Sequence, residues 1–217
     1  MISRARFFAT LIQCLLGLCG LATPQDTPAG SSSSKAKQKT EQRVKAPSPA
    51  PSPSDEGAYR NADFGFSYHT PYGWVDRTKD MQPEANDPAK SQLLLAVFER
   101  PPEVSGDTVN SAVIITAESA TSYPGLRTAA DYMGPLTELT TGKGFKVTHE
   151  PYEFAVGGKQ LVRGDFAKDL GKLTMYQSSL VLLHKGSVVT FTFIGGSEDE
   201  VEELIEKLAF PPAAKRH

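Results

Sequence analysis

The pattern of apolar and polar positions is clearest near the C-terminal end. Val201, Leu204, Ile205 and Leu208 recur at i, i+3, i+4 and i+7, which predicts one buried stripe on a helix over 198–208. Ser197, with Glu200 three residues later, reads as a capping box in which each side chain satisfies a free backbone N–H at the helix start. Glu198, Asp199 and Glu200 put negative charge at the positive end of the helix dipole, and Lys207 lies near the other end. Just upstream, a strand over 173–183, a turn at His184-Lys185-Gly186, a strand over 187–194 and a Gly195-Gly196 break predict a hairpin that feeds this helix. A helix with one apolar stripe needs a surface to cover, so hairpin and helix together predict a sheet completed by earlier strands.

The earlier segments supply them. Phe64, Phe66 and Tyr68 alternate with Gly65, Ser67 and His69, the period of a half-buried strand. Pro71-Tyr72-Gly73-Trp74 reads as a turn that carries the only tryptophan back under the sheet. The polar segment 82–90, with Pro83 and Pro88, is a loop. Segments 93–98 and 112–117 are continuously apolar and predict central strands covered on both faces, joined by a loop that opens at Pro101-Pro102. Segment 127–140 reads as a helix with Leu126, Ala130, Met133 and Leu136 near one face, capped around Thr128 and Asp131; Pro135 predicts a kink or break near Gly134. Segments 145–148, 152–156 and 160–167 are further strands, the last two joined by a Gly157-Gly158 hairpin turn. Strands outnumber helices and the helices stand apart, which predicts an α+β fold: an antiparallel sheet with helices packed on it.

The ends of the chain differ in kind. Arg4 and Arg6 precede an apolar run over 7–22 broken only by Thr10 and Gln13, and Gly20-Leu21-Ala22 offers small residues ahead of Thr23. This is the pattern of a signal peptide over 1–22, and it predicts an exported protein: secreted, periplasmic or surface-tethered. The run is shorter than the roughly 20 apolar residues of a membrane span. An uncleaved anchor is the alternative. A lipid anchor at Cys19 is a further one, although Leu18 stands where a lipobox has a small residue. Segment 23–58 has no aromatic residue and alternates proline with small residues from Pro47 to Pro53, so it reads as a disordered, partly polyproline linker. Its Lys35, Lys37, Lys39, Arg43 and Lys45 suit contact with an anionic cell-envelope surface. Residues 59–212 are then the globular domain and 213–217 a frayed tail.

Charge narrows the partner classes. The whole chain carries −2, but from Tyr59 onward 16 basic residues face 21 acidic ones, a net −5. An acidic domain argues against nucleic acid, whose phosphates need a basic face. Cys14 and Cys19 both fall in the N-terminal run, so the domain has neither a disulfide nor a cysteine nucleophile.

Tyr59-Arg60-Asn61, Phe64-Gly65-Phe66-Ser67-Tyr68, Pro71-Tyr72-Gly73-Trp74, a mid-chain helix and a terminal hairpin and helix ending Leu208-Ala209-Phe210 together resemble the PsbP-like superfamily, the fold of PsbP, Mog and LpqN-type proteins. The likeness spans about 59–210. It implies an α/β/α sandwich around an antiparallel sheet, and a non-catalytic protein that binds another protein. No motif in the chain selects one partner, so the resemblance transfers no functional residue.

The residues themselves show no catalytic motif: no G-x-S-x-G, H-E-x-x-H, P-loop or G-x-G-x-x-G. Gly142-Lys143-Gly144 is too short to cradle a phosphate. His69, His184 and His217 read as solvated or locally bonded. His149, beside Glu150 and near Glu153, would need a distant third ligand to hold a metal. The acidic run at 198–203 lacks the spacing of a calcium loop and reads as helix capping. Asp63, Asp165 and Asp169 could serve as acid and base only if the fold brings them together. The expectation is therefore no catalytic, cofactor-binding or metal residue, and no cofactor. The first functional reading is a tethered accessory domain for an unknown protein partner. The alternatives are a small-molecule or lipid-binding module, with its cleft between the sheet and the Pro135 helix, and an extracytoplasmic hydrolase.

Overall fold

Lys185 and Gly186 both take positive φ, 49° and 77°. Two such residues make the tight turn whose twist matches the strands it joins, here Thr174–His184 and Ser187–Gly195, paired through His184 and Ser187. The computed structural model describes residues 57–82 and 91–210. The expected signal peptide, the linker through residue 56, the loop 83–90 and the tail lie outside the described residues. In chain order the strands are β1 (Ala58–Asn61), β2 (Phe66–His69), β3 (Val75–Asp76), β4 (Ser91–Phe98), β5 (Ala112–Ser119), β6 (Lys146–Val156), β7 (Lys159–Asp169), β8 (Thr174–His184), β9 (Ser187–Gly195) and β10 (Leu208–Ala209). Helix α1 (Ala129–Thr141) lies between β5 and β6, and α2 (Glu198–Ile205) between β9 and β10. The large sheet runs β3-β4-β5-β9-β8-β7-β6, and a small one runs β1-β2-β10. All the strand pairs are antiparallel.

Alternation along β8 assigns each helix to a face. Leu180 and Leu182 join Phe191, Phe193, Val201, Leu204 and Ile205 in the main core, together with Phe66 and Tyr68 of the small sheet. Val181, one residue out of phase, packs instead with Tyr132, Met133 and Leu136 of α1. Helix α2 and the small sheet therefore cover one face and α1 the other, the expected α/β/α arrangement. Strands β4 and β5 are buried on both faces, with Phe98, Ile114 and Ile194 in a third cluster. Among the described residues no helix is long and apolar enough to cross a membrane.

Several local expectations change. Helix α1 runs unbroken through Pro135. Asp131, Gly134 and Pro135 all lie on its exposed side, so the carbonyl that the proline leaves without a donor faces water. Its buried stripe contains Tyr132 rather than Ala130, which is exposed. Its cap is a complete box: Thr128 Oγ1 accepts from the Asp131 amide, and Asp131 Oδ2 accepts from the Thr128 amide at 2.8 Å. Helix α2 stops at Ile205, short of the expected 208, because the chain turns there to pair with β2. The Lys207 carbonyl accepts from the His69 amide at 3.1 Å, and Leu208 is buried opposite Tyr68 on β10. Its capping box is only half formed. Ser197 Oγ accepts from the Glu200 amide at 3.1 Å, but the Glu200 carboxylate accepts from the Gly196 amide and the Ser111 hydroxyl. Trp74 is half-buried against the main core. Segments 145–148 and 152–156 merge into the single strand β6.

These contacts order three substitutions on α2. Leu204 is buried, so Leu204→Ala is expected to cost about 2–5 kcal/mol. Ser197→Ala removes a cap, about 1 kcal/mol. Glu203 is exposed, and Glu203→Ala is expected to leave the midpoint of urea unfolding in place. The ranking is read from the three unfolding curves.

No sequence pattern pointed to the polar lock under α1. Glu118, buried on β5, accepts from Tyr132 OH of α1 at 3.1 Å and from Tyr123 OH, and the two tyrosine rings meet edge to face at 5.0 Å. Burial pushes the Glu118 carboxyl above its ordinary value, and the two hydroxyl donors only partly offset it. For a carboxyl raised in the folded state, the stabilising contribution is complete below the unfolded value of about 4.3 and is lost as pH rises through the folded value. Glu118→Gln keeps an acceptor for both tyrosines without the charge. Its stability relative to the parent is therefore expected to improve as pH rises above the unfolded value of about 4.3, measured by urea unfolding from mildly acidic to neutral pH.

Candidate functional site: the cleft beneath the closing helix

Strand β6 is the exposed edge of the large sheet. Its ladder with β7 shifts register twice: His149 stands opposite Asp165 and Tyr152 opposite Arg163, three residues advanced on β6 against two on β7. In a regular strand, side chains three apart point to opposite faces. The bulge, at Glu150-Pro151, turns both His149 and Tyr152 to the α2 face. Pro151 is tolerated there because the ladder is already interrupted. On β7, Arg163 and Asp165 are two apart and share that face, and Ser178 of β8 lies opposite Asp165. Helix α2 brings Glu198, Val201 and Glu202 over them. Together these residues line a cleft of about 330 Å³ that also takes in Thr148 and Tyr176.

Asp165 is the centre of the network. It accepts from Arg163 Nε at 2.8 Å, from Ser178 Oγ and from Tyr152 OH at 3.2 Å. His149 Nδ1 stands 3.9 Å from Oδ2 with its side chain mostly exposed. Arg163 also donates to Ser178 Oγ at 3.1 Å and to Glu202 Oε1, and its guanidinium lies 5.0 Å from the Phe154 ring centroid and 5.8 Å from that of Tyr152. Only 6% of Arg163 and 8% of Asp165 is exposed. Burial opposes the Arg163 charge, but the bonds to Glu202 and Asp165 outweigh it and hold the guanidinium more firmly protonated than usual. Burial, then the Asp165 charge, pushes the Tyr152 hydroxyl up to about 12.

A serine, a histidine and an aspartate are thus assembled, but not as a relay. Nucleophilic catalysis needs the base to accept from the nucleophile. Here Ser178 donates to one oxygen of Asp165, and His149 faces the other. The Ser178 oxygen in turn accepts from Arg163. Both hydrogen-bonding functions of the hydroxyl are engaged by scaffold groups.

Of the residues singled out from sequence, His149, Glu150, Asp165, Glu198 and Glu202 meet at this cleft. Glu153 does not: it pairs with Val162, a residue out of phase with Arg163. The three aspartates stay apart. The Asp63 carbonyl accepts from Lys185 Nζ, and the Asp169 carboxylate closes a turn on the Gly171 amide. His69 is exposed at the end of β2. His184 is half-buried edge-on to Phe64, and burial lowers its pKa. His217 lies outside the described residues. Gly142-Lys143-Gly144 is the turn that ends α1, with Gly144 at φ 88°. Among the described residues no three His, Cys, Asp or Glu side chains are grouped to hold a metal ion. The cleft expected between the sheet and the Pro135 helix is filled by Tyr132, Met133 and Leu136; the open cleft lies on the other face, under α2. Sequence reasoning missed Tyr152, Arg163 and Ser178. The available signal was Arg163-x-Asp165, two charges on one face of a strand whose neighbour Leu161 belongs to the core.

No family model and no curated protein matches the chain. Solved structures of the PsbP-like fold do match it. The solution structure of cyanobacterial PsbP (CyanoP) from Synechocystis sp. PCC 6803 is 16% identical, over 71% of this chain and 91% of that one, with a TM-score of 0.44. The Ran-binding protein Mog1p of Saccharomyces cerevisiae is 12% identical over 70% and 94%, also at 0.44. LpqN of Mycobacterium tuberculosis, described as involved in cell envelope biogenesis, is 14% identical over 76% and 100%, at 0.38. At these identities and scores no partner, ligand or activity passes from them to this chain.

Proposed function

We propose that the chain is an exported, non-catalytic binding domain that engages a protein partner through the cleft between β6, β7, β8 and α2. One observation carries the reading: the groups at the cleft floor that could do chemistry are bonded to one another, while the walls stay open. Arg163, Asp165 and Ser178 form a closed, buried set. Tyr152, 40% exposed, and the exposed Thr148, Glu150 and Glu198 stand around it. A rigid polar floor with an exposed aromatic at its mouth is the anatomy of a recognition site. Most lining residues are charged, phenolic or hydroxylic, with Phe166 and Val201 the apolar ones, which favours an extended protein segment over a lipid chain. The apolar N-terminal run after Arg4 and Arg6 supports export.

The test is a photo-crosslinking residue placed at Thr148 on the cleft rim, with another at Tyr72, which is fully exposed on a turn, as the control. In native extract the Thr148 position is expected to give a discrete protein adduct and the Tyr72 position none. Adducts at Tyr72 alone, or at neither position, overturn the reading.

A further inference from the structure

We infer that this cleft recognises a cationic side chain, an arginine or lysine carried by an extended segment of the partner lying along β6. The inference rests on the binding reading above and gives the partner its chemistry.

Charge gives the first support. The lining holds one fixed cation, Arg163, against the carboxylates of Glu150, Asp165, Glu198 and Glu202. Asp165 and Glu202 already bind Arg163; Glu150 and Glu198 are both exposed. An anionic ligand would find Arg163 doubly paired inside a negative field. A cation finds carboxylates on both sides of the opening, one from β6 and one from the first turn of α2.

The aromatic surfaces give the second. Tyr152 and Tyr176 contribute to the lining, and cations favour the faces of such rings. The protein's own guanidinium already sits in this manner, over Phe154 and Tyr152 and between two carboxylates. A guanidinium or ammonium from outside would meet the same combination one layer further out.

The third is the backbone. The cleft opens at β6, the last strand of its sheet, exposed over most of its eleven residues. An edge strand offers unpaired backbone groups to an added strand. The bulge at Glu150-Pro151 interrupts this edge beside the cleft, so a segment paired further along β6 would place one side chain at the opening. A cleft of about 330 Å³ has room for an arginine side chain.

The experiment is calorimetric titration of the full chain with acetyl-Thr-Val-Arg-Val-Thr-amide and with the same peptide carrying citrulline, the neutral isostere, in place of arginine. The arginine peptide is expected to bind at least about tenfold more tightly, the margin that a charge-assisted hydrogen bond provides over a neutral one in a partly buried site. The double variant Glu150→Gln/Glu198→Gln, both positions exposed, is expected to weaken the arginine peptide by about three- to tenfold and leave the citrulline peptide unchanged. Equal affinity for the two peptides, or no binding of the arginine peptide at millimolar concentration, overturns the inference whatever the variant does. If the crosslink at Thr148 forms but the peptides are not distinguished, only the cationic assignment falls. If that crosslink fails, the binding reading falls with it.

Discussion

Arg163→Met is expected to lower the unfolding free energy by about 3–5 kcal/mol, because removing one member of a buried ion pair leaves an uncompensated charge behind. The guanidinium reaches Asp165, Ser178 and Glu202 and lies against Phe154, so the substitution loosens β7, β8 and α2 at once. Asp165 stays buried with Ser178 and Tyr152 as its hydrogen-bond donors and the mostly exposed His149 3.9 Å away. Adding Asp165→Asn to Arg163→Met is expected to recover part of the loss, since an amide carries no buried charge. Urea unfolding of the parent, both single variants and the double variant measures the coupling. If Arg163→Met costs less than about 1 kcal/mol, the network is not what positions the cleft.

The second large effect lies where the two sheets meet. Phe191 of β9 is fully buried, and its ring lies 5.0 Å from Phe66 of β2 and 6.0 Å from Phe210, beyond β10. These three rings bring the small sheet onto the large one. Phe191→Ala is expected to cost about 3–5 kcal/mol, from the transfer energy of the removed ring and the residual cavity. Phe191→Leu keeps most of the volume and is expected to cost under about 1.5 kcal/mol. Thermal unfolding of the pair separates the effect of filled volume from that of the aromatic geometry. Equal destabilisation in the two variants would mean that the ring geometry, rather than the filled volume, holds the sheets together.

The parts of this fold that were legible from sequence are those fixed by a single segment. Gly186 and Gly157-Gly158 specify their turns by the positive φ that glycine accepts without strain, and Lys185 follows its turn at φ 49°. The Thr128–Asp131 cap and the stripe of α2 up to Ile205 are periodic or local signals. What was illegible depends on pairing. The end of α2 is set by β10 finding β2, through Lys207 and His69, residues far apart in the chain. Pro135 predicts a break on average. Whether a helix tolerates it depends on which side faces water, and that is known only once Tyr132, Met133 and Leu136 have chosen theirs.

The cleft shows the same limit most plainly. A one-residue bulge decides whether His149 and Tyr152 share a face, and bulges are a relation between two strands. Asp165 was visible as a candidate, but Asp63 and Asp169, its supposed companions, lie elsewhere, while its true partners come from β6, β7 and β8. The acidic run at 198–203 read as capping alone. Glu200 does cap, by way of Gly196, yet Glu198 and Glu202 on the same turns face the cleft. One short helix thus closes the core with Val201, Leu204 and Ile205 and lines the opening with its carboxylates.

The most direct measurement is an amide-resolved NMR titration of the full chain with the arginine peptide. Binding in the cleft predicts shift changes along β6 around Thr148 and Tyr152, on β8 at Tyr176 and Ser178, and in the first turn of α2, with α1 on the opposite face unmoved. Changes concentrated on α1 or at the Tyr72 turn, with the cleft amides still, would contradict it.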